Sequence, residues 1–219
     1  MDPSYRLSPS EIVFLNADQF VKTARLGFRM LGSETKVNTN DLARSVLTAA
    51  FLVMEEVGEI QIEVEEYKRL IGKGRRIKFT PRTDHSAFPI PSLETMVQAL
   101  VTRLSASGDV ATAKDLVYAW LEHDDDNPWT KLLDAIPVYM ADRGLLERLE
   151  EKKLKIFTVV NYELLEETRK LAKEAPIAEI QSLLAAGETN RPDLWKQLQK
   201  EINQAISARD SSDDDIDFD

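Results

Sequence analysis

Residues 40 to 82 constrain the fold of this chain more than any other stretch. Ala43, Val46, Leu47, Ala50, Phe51, Val53, Met54 and Val57 recur at three- and four-residue spacing, which predicts a helix with a broad apolar face. Thr39 or Asn40 is placed to cap it, and Asp41 suits its positive end. Gly58 follows where a helix favours a left-handed C-terminal residue. Ile60, Ile62 and Val64 then alternate with Glu59, Gln61, Glu63 and Glu65, the period of a half-buried strand. Gly72 and Gly74 mark a turn, and Ile77 and Phe79 alternate with Arg76 and Lys78 on a return strand. Pro81 ends the strand because proline has no ladder donor. A helix followed by such a hairpin is the plan of a winged-helix unit.

The hairpin is also where charge concentrates. Lys68, Arg69, Lys73, Arg75, Arg76, Lys78 and Arg82 are seven basic residues with no acid between them, in a chain whose net charge is -10. The bulk charge argues against general attraction to nucleic acid or an anionic membrane, whereas the hairpin is a local positive patch. These seven residues are the candidate phosphate-binding set, since Arg and Lys beside turn glycines suit an anionic oxygen cluster. The competing reading is a solvated hairpin whose cations discourage edge-to-edge aggregation.

The remaining segments read as helices. Ser8-Pro9-Ser10-Glu11 is a capping box, followed by one or two helices from Ile12 to Phe28. The loop from Thr83 to Pro91 is the expected flexible segment. Ser92 caps a helix that stops near Gly108, and Ala111 to Glu122 forms a shorter one. Asn127-Pro128 starts a helix to Arg143, with a kink or break expected at Pro137. Met140 to Leu146 then parallels Met54 to Ile60 around a glycine, and Leu149 to Val160 suggests a second hairpin. This reads as an internal duplication of a helix-hairpin unit, residues 40–82 and 127–160. Helices follow over Tyr162–Ala175, Ile177–Ala186 (stopping at Gly187) and Pro192–Ala208. The expected fold is therefore mainly α, a single helical domain over 1–209 with one or two β-hairpins. Residues 210–219 hold six aspartates and only Ile216 and Phe218 as apolar residues, a composition expected to be disordered. A solubilising tail is the plainer reading; a mobile anion competing with phosphate for the basic hairpin is the other.

No convergent catalytic set is visible. His85 and His123 are the only histidines and read as loop or helix-end residues. No serine sits in a nucleophile elbow, and Gly72-Lys73-Gly74 is too short for a Walker loop. Glu55-Glu56 and Glu65-Glu66 are adjacent and so point to different faces. Asp124-Asp125-Asp126 lacks the alternation of a calcium loop, with Pro128 and Trp129 where ligands should continue. Trp120, Trp129 and Trp195 read as core. The expectation is a non-enzyme with no metal and no cofactor. Cysteine is absent, which fits a reducing cytoplasm, and no apolar run approaches the length of a spanning helix.

The order of elements resembles the Golgi phosphoprotein 3 family, in its bacterial members especially. The likeness lies in Leu7-Ser8-Pro9-Ser10-Glu11-Ile12-Val13-Phe14-Leu15, in Leu47 to Ile60, in the basic strand from Arg75 to Pro81, in Met140 to Leu146 and in Lys155-Ile156-Phe157-Thr158. It covers about Tyr5 to Ala186. It implies a mainly helical, non-catalytic, cytoplasmic adaptor peripheral to membranes, in a family whose eukaryotic members bind phosphatidylinositol 4-phosphate and glycosyltransferase tails. The chain departs from the family at the headgroup site: the helix from Asn40 has no early tryptophan, and Lys131-Leu132-Leu133-Asp134-Ala135-Ile136-Pro137 stands where arginines belong. The expected partners are an anionic membrane surface and an unidentified protein, with self-association open. The alternative is a tandem winged-helix module that binds protein or, ranking lower, nucleic acid.

Overall fold

A computed structural model describes residues 7–68, 72–121, 127–153 and 157–210. Along the chain these form α1 (Pro9–Leu15), α2 (Ala17–Phe20), β1 (Thr23–Arg29), β2 (Lys36–Val37), α3 (Thr39–Glu56), β3 (Ile60–Lys68), β4 (Lys73–Pro81) and α4 (Leu93–Ser107). After these come β5 (Ala111–Thr112), α5 (Ala113–Tyr118), α6 (Pro128–Asp142), β6 (Leu146–Lys153), β7 (Phe157–Leu164), α7 (Glu166–Glu174), α8 (Ile177–Asn190) and α9 (Pro192–Asp210). Helices predominate, and the strands make three small antiparallel sheets: β1-β2, β3-β4-β5 and β6-β7. The chain is thus mixed α and β.

The centre is α3. From Leu42 to Met54 all its residues but Arg44 and Ser45 are buried, and α1, α6, α8 and α9 pack around it. Asn38, one position earlier than expected, caps it through the amide of Asp41 at 3.0 Å. Gly58 adopts the left-handed conformation at its end (φ 80°), and the Glu59 amide returns to the Met54 carbonyl at 2.9 Å. The chain then leaves directly into β3, whose Ile60 and Ile62 enter the core beside Ile77 and Phe79 of β4. Phe79 meets Phe51 of α3 edge to face at 4.9 Å. The same succession recurs where α6 ends at Gly144 (φ 72°) and feeds the β6-β7 hairpin.

Several expectations are corrected. Residues 23–29 form strand β1, not helix, because Ala24, Leu26 and Phe28 repeat at period two beside β-branched Thr23. Ala111-Thr112 is a strand added to β4, so α5 starts only at Ala113. Of the kink or break expected at Pro137, no break is present, and α6 runs continuously from Pro128 to Asp142. Residues 161–164 belong to β7, so the following helix begins at Glu166. Helix α8 continues through Gly187 to Asn190, and that glycine serves close packing: a Cβ there would stand 3.0 Å from Leu52 Cδ1 and 3.4 Å from the Trp195 ring. The Thr83–Pro91 loop, expected to be flexible, is tied down. The Ser86 hydroxyl and the Ala87 amide donate to Glu59, the Gln98 amide donates to the Thr83 carbonyl, and Phe88 is buried. The expected Asp124–Asp126 loop, His123 and the 211–219 tail lie outside the described residues.

A buried polar knot fastens α1 to this core. The Ser8 amide donates to Glu11 at 2.8 Å, completing the expected capping box, and the Ser10 amide and hydroxyl donate to Glu94 of α4 at 2.7 and 3.0 Å. Glu11 is 1% exposed and pairs with Arg143 at the end of α6. Burial pushes the Glu11 carboxyl from 4.5 to about 7 against the opposing pull of Arg143, and burial raises Glu94 too. Because the folded chain holds these protons more tightly, the stability these two carboxyls contribute is fully present below pH 4.5, and the Glu11 share is lost as pH rises towards 7. Glu11 accounts for a decline of up to ~3 kcal/mol. Urea titrations from pH 4.5 to 7.5 are expected to show that slope, and Glu11→Gln should flatten it.

Gly27 generates a separate test. Its φ is +152°, and a Cβ there would fall 2.1 Å from the Val37 carbonyl oxygen. Gly27→Ala therefore forces β1 away from β2, at a cost of about 2 kcal/mol. Thermal unfolding should show the loss, and an unchanged midpoint would remove this close approach from the fold.

Candidate functional site: a cationic cleft beside the hairpin

The residue pairing of β3 with β4 decides what the basic cluster looks like. With Lys68 opposite Lys73, the register sets Glu66 opposite Arg75, Glu65 opposite Arg76 and Glu63 opposite Lys78. The acidic strand thus faces the basic one. Arg76 reaches Glu65 at 2.6 Å, Lys78 approaches the same carboxylate at 3.6 Å, and Lys73 reaches Glu66 at 2.9 Å. The hydrogen bond from Arg76 holds the Glu65 carboxyl below the usual carboxylate range. Arg75 reaches Asp193 on α9 at 3.3 Å, and Arg82 donates to the neutral Gln61 side chain. Lys68 is exposed at the strand end, and Arg69 lies outside the described residues. The seven candidates therefore do not form one free surface: four are ion-paired.

Two of them nonetheless belong to a larger arrangement. Arg75 and Arg76 border an open cleft of about 570 Å³ between β4, α5 and α9. Helix α5 contributes Lys114 and Tyr118, and α9 contributes Gln197, Lys200, Glu201 and Gln204. Two tyrosines wall it: the Arg76 guanidinium lies 5.0 Å from the Tyr67 ring, and the Lys114 ammonium 5.1 Å from the Tyr118 ring. Lys114 and Lys200 are exposed, and neither has a carboxylate within ion-pair distance among the described residues. Four cations from three elements thus converge where sequence reading picked out only two. Lys114 and Lys200 lie 36 and 122 residues or more from the hairpin's Lys78, so no local pattern joins them.

The acid in the cleft has another task. Strand β5 pairs only with Lys78 and Phe79, and the neighbouring Ile77 amide donates to Glu201 at 2.8 Å instead. Gln197 donates to the same oxygen at 2.7 Å and to the Arg75 carbonyl at 3.0 Å. Burial raises the Glu201 carboxyl above its ordinary range, opposed by these hydrogen bonds. Glu201 is thus occupied in docking α9 on the sheet, and its carboxylate offsets part of the charge of Lys200 and Arg76. A larger concavity, about 800 Å³ between the β1-β2 loop, α6 and β7, has Asp134 and Glu34 in its wall. Arg29 is its only lining cation among the described residues and pairs with Glu34. Anionic ligands are disfavoured there.

Glu201→Ala strands the Ile77 amide and is expected to destabilise the chain by about 1–3 kcal/mol in urea unfolding. Glu201→Gln keeps an acceptor oxygen and should recover most of that loss.

No family model and no curated protein matches the chain, so the likeness to the Golgi phosphoprotein 3 family stands on its quoted residues, and the functional reading rests on this cleft.

Proposed function

We propose that this chain is a non-catalytic adaptor peripheral to membranes, engaging phosphate-bearing headgroups through the cleft of Arg75, Arg76, Lys114 and Lys200. The observation that carries this reading is the convergence of four cations from three elements around one concave surface of a chain with net charge -10. Such an arrangement has a directional effect. The anionic body is repelled by an anionic bilayer, so only approach with the cleft foremost is favourable. The family likeness supports the same class of function. It also requires a relocation: the positions where the family's headgroup arginines belong hold Lys131 to Pro137, whose Asp134 faces the larger concavity. The hairpin's contribution is correspondingly narrower than the whole of Lys68 to Arg82.

A groove-reading nucleic-acid module has less support. Helix α3, which leads into the basic hairpin, is buried along its length and has no free face for a major groove. No helix among the described residues is long and apolar enough to cross a membrane. The proposed contact is therefore a surface one.

Co-sedimentation with vesicles of phosphatidylcholine containing a phosphomonoester-bearing anionic lipid tests the reading. Lys114→Gln/Lys200→Gln removes two exposed cations without an ion pair among the described residues, of which Lys114 lies over the Tyr118 ring. At about 1 kcal/mol per lysine near the surface, the vesicle affinity should fall about 30-fold. Binding should also weaken between 50 and 300 mM salt, conditions chosen to bracket about one Debye length of 8 Å. Equal sedimentation of the variant and the parent chain would remove the cleft from the mechanism.

A further inference from the structure

The cleft has a second candidate occupant within the same chain. Its α9 wall runs from Gln197 to Ala208, and α9 ends at Asp210. The chain therefore leaves the last described helix two residues beyond the cleft rim. The nine residues that follow, Ser211 to Asp219, carry Asp213, Asp214, Asp215, Asp217 and Asp219 with no basic residue. Nine residues extend at most ~30 Å, whereas the α9 wall from Gln197 to Ala208 is ~17 Å long. The segment is long enough to turn back and run the length of the cleft. Its charge complements the exposed Lys114 and Lys200, which carry no ion pair among the described residues, and it meets Arg75 and Arg76 beside their own partners Asp193 and Glu65, with Glu201 in the same wall. Its two apolar residues, Ile216 and Phe218, match a groove walled by Tyr67 and Tyr118.

We propose that residues 211–219 dock into this cleft as an intramolecular anion and compete with the external phosphate ligand. This rests on the cleft being an anion site, as proposed above, and adds its regulation. The docked segment meets the bilayer as a competitor at high effective concentration. A weak intrinsic affinity then suffices, because a short tether supplies millimolar local concentration. Salt acts on both contacts, but a dense anionic surface outcompetes five carboxylates on one segment. Membrane encounter is thus coupled to release of the tail.

The absence of cysteine makes the test direct, since Ser212→Cys introduces a single thiol for a nitroxide label in the full-length chain. The expected result at 50 mM salt is paramagnetic broadening of the Lys114, Tyr118 and Gln204 amides. It should disappear at 500 mM salt and in the Lys114→Gln/Lys200→Gln background. Unbroadened cleft amides, or broadening that survives the two substitutions, would overturn the docking. A second arm reads the competition. Asp213→Asn/Asp214→Asn/Asp215→Asn/Asp217→Asn should raise affinity for the anionic vesicles about five- to tenfold, as expected when a millimolar tethered competitor is removed. Unchanged affinity would refute the competition. The two proposals fail separately. Cleft broadening without vesicle binding by any variant leaves the tail contact and removes the membrane role. Cleft-dependent vesicle binding without broadening leaves the membrane role and removes the tail contact.

Discussion

Everything in this molecule is arranged around the burial of α3. A helix with one apolar stripe needs one neighbour, but α3 is apolar over most of its circumference and packs against α1, α6, α8 and α9 together. That demand fixes where the first hairpin starts. The left-handed turn at Gly58 sends the chain out of the helix at once, so Ile60 and Ile62 are still within the core that α3 defines. Phe79 on the return strand then seals against Phe51. The hairpin's basal half is core, and its distal half, with Glu65 to Arg76, is surface. A charged strand pair is thereby held at a set distance and angle by apolar contacts that its charges do not contribute to.

The parts of this plan that depend on neighbours in sequence were legible. The end of α3 at its glycine stop, the start of β3 at Ile60, the Ser8–Glu11 capping box and the Asn127-Pro128 start of α6 all follow from local chemistry. Misreadings came where one residue type serves two purposes. Gly187 has the composition of a helix stop, yet it is in mid-helix because Leu52 and Trp195 leave no room for a side chain. Ala24, Leu26 and Phe28 fit a helix if Val21 is counted with them and a strand if it is not; pairing with Val37 decides for the strand. The two-residue strand β5 carries no pattern of its own and exists because β4 offers it an edge.

The basic cluster teaches a different lesson, because the information needed to temper it was present. Counting charges along Lys68 to Arg82 gives a one-sided excess. Pairing β3 with β4 sets Glu66, Glu65 and Glu63 against Arg75, Arg76 and Lys78. Charge on a hairpin has to be counted across the ladder, not along the strand, since directly opposed side chains are the ones within reach. Exposed pairs of this kind contribute little stability, about 0–1 kcal/mol each. Their larger effect is to shape the local field by cancelling most of it. What survives cancellation is set by tertiary contacts that no local pattern encodes: α5 and α9 bring the exposed Lys114 and Lys200 to a flank of β4 whose one lining carboxylate, Glu201, is hydrogen-bonded to the Ile77 amide.

Helix α9 links that flank to the core. Leu194, Leu198, Ile202 and Ile206 recur at four-residue spacing and are buried, while Gln197, Lys200 and Gln204 on the adjoining face line the cleft. Glu201, between the two faces, fills the hydrogen-bonding gap that β5 leaves at Ile77. A helix seated by four apolar side chains and a strand amide has little freedom to rotate, so the backbone of Lys200 keeps its position relative to β4. An unpaired cation is ordinarily free to swing away from its neighbours into water. Here the backbone that carries it is fixed by the core, which limits how far the Lys200 side chain can move from the cleft. A surface held in this way suits the anionic ligand proposed for it, and the acidic residues 211–219 continue in sequence from the same helix.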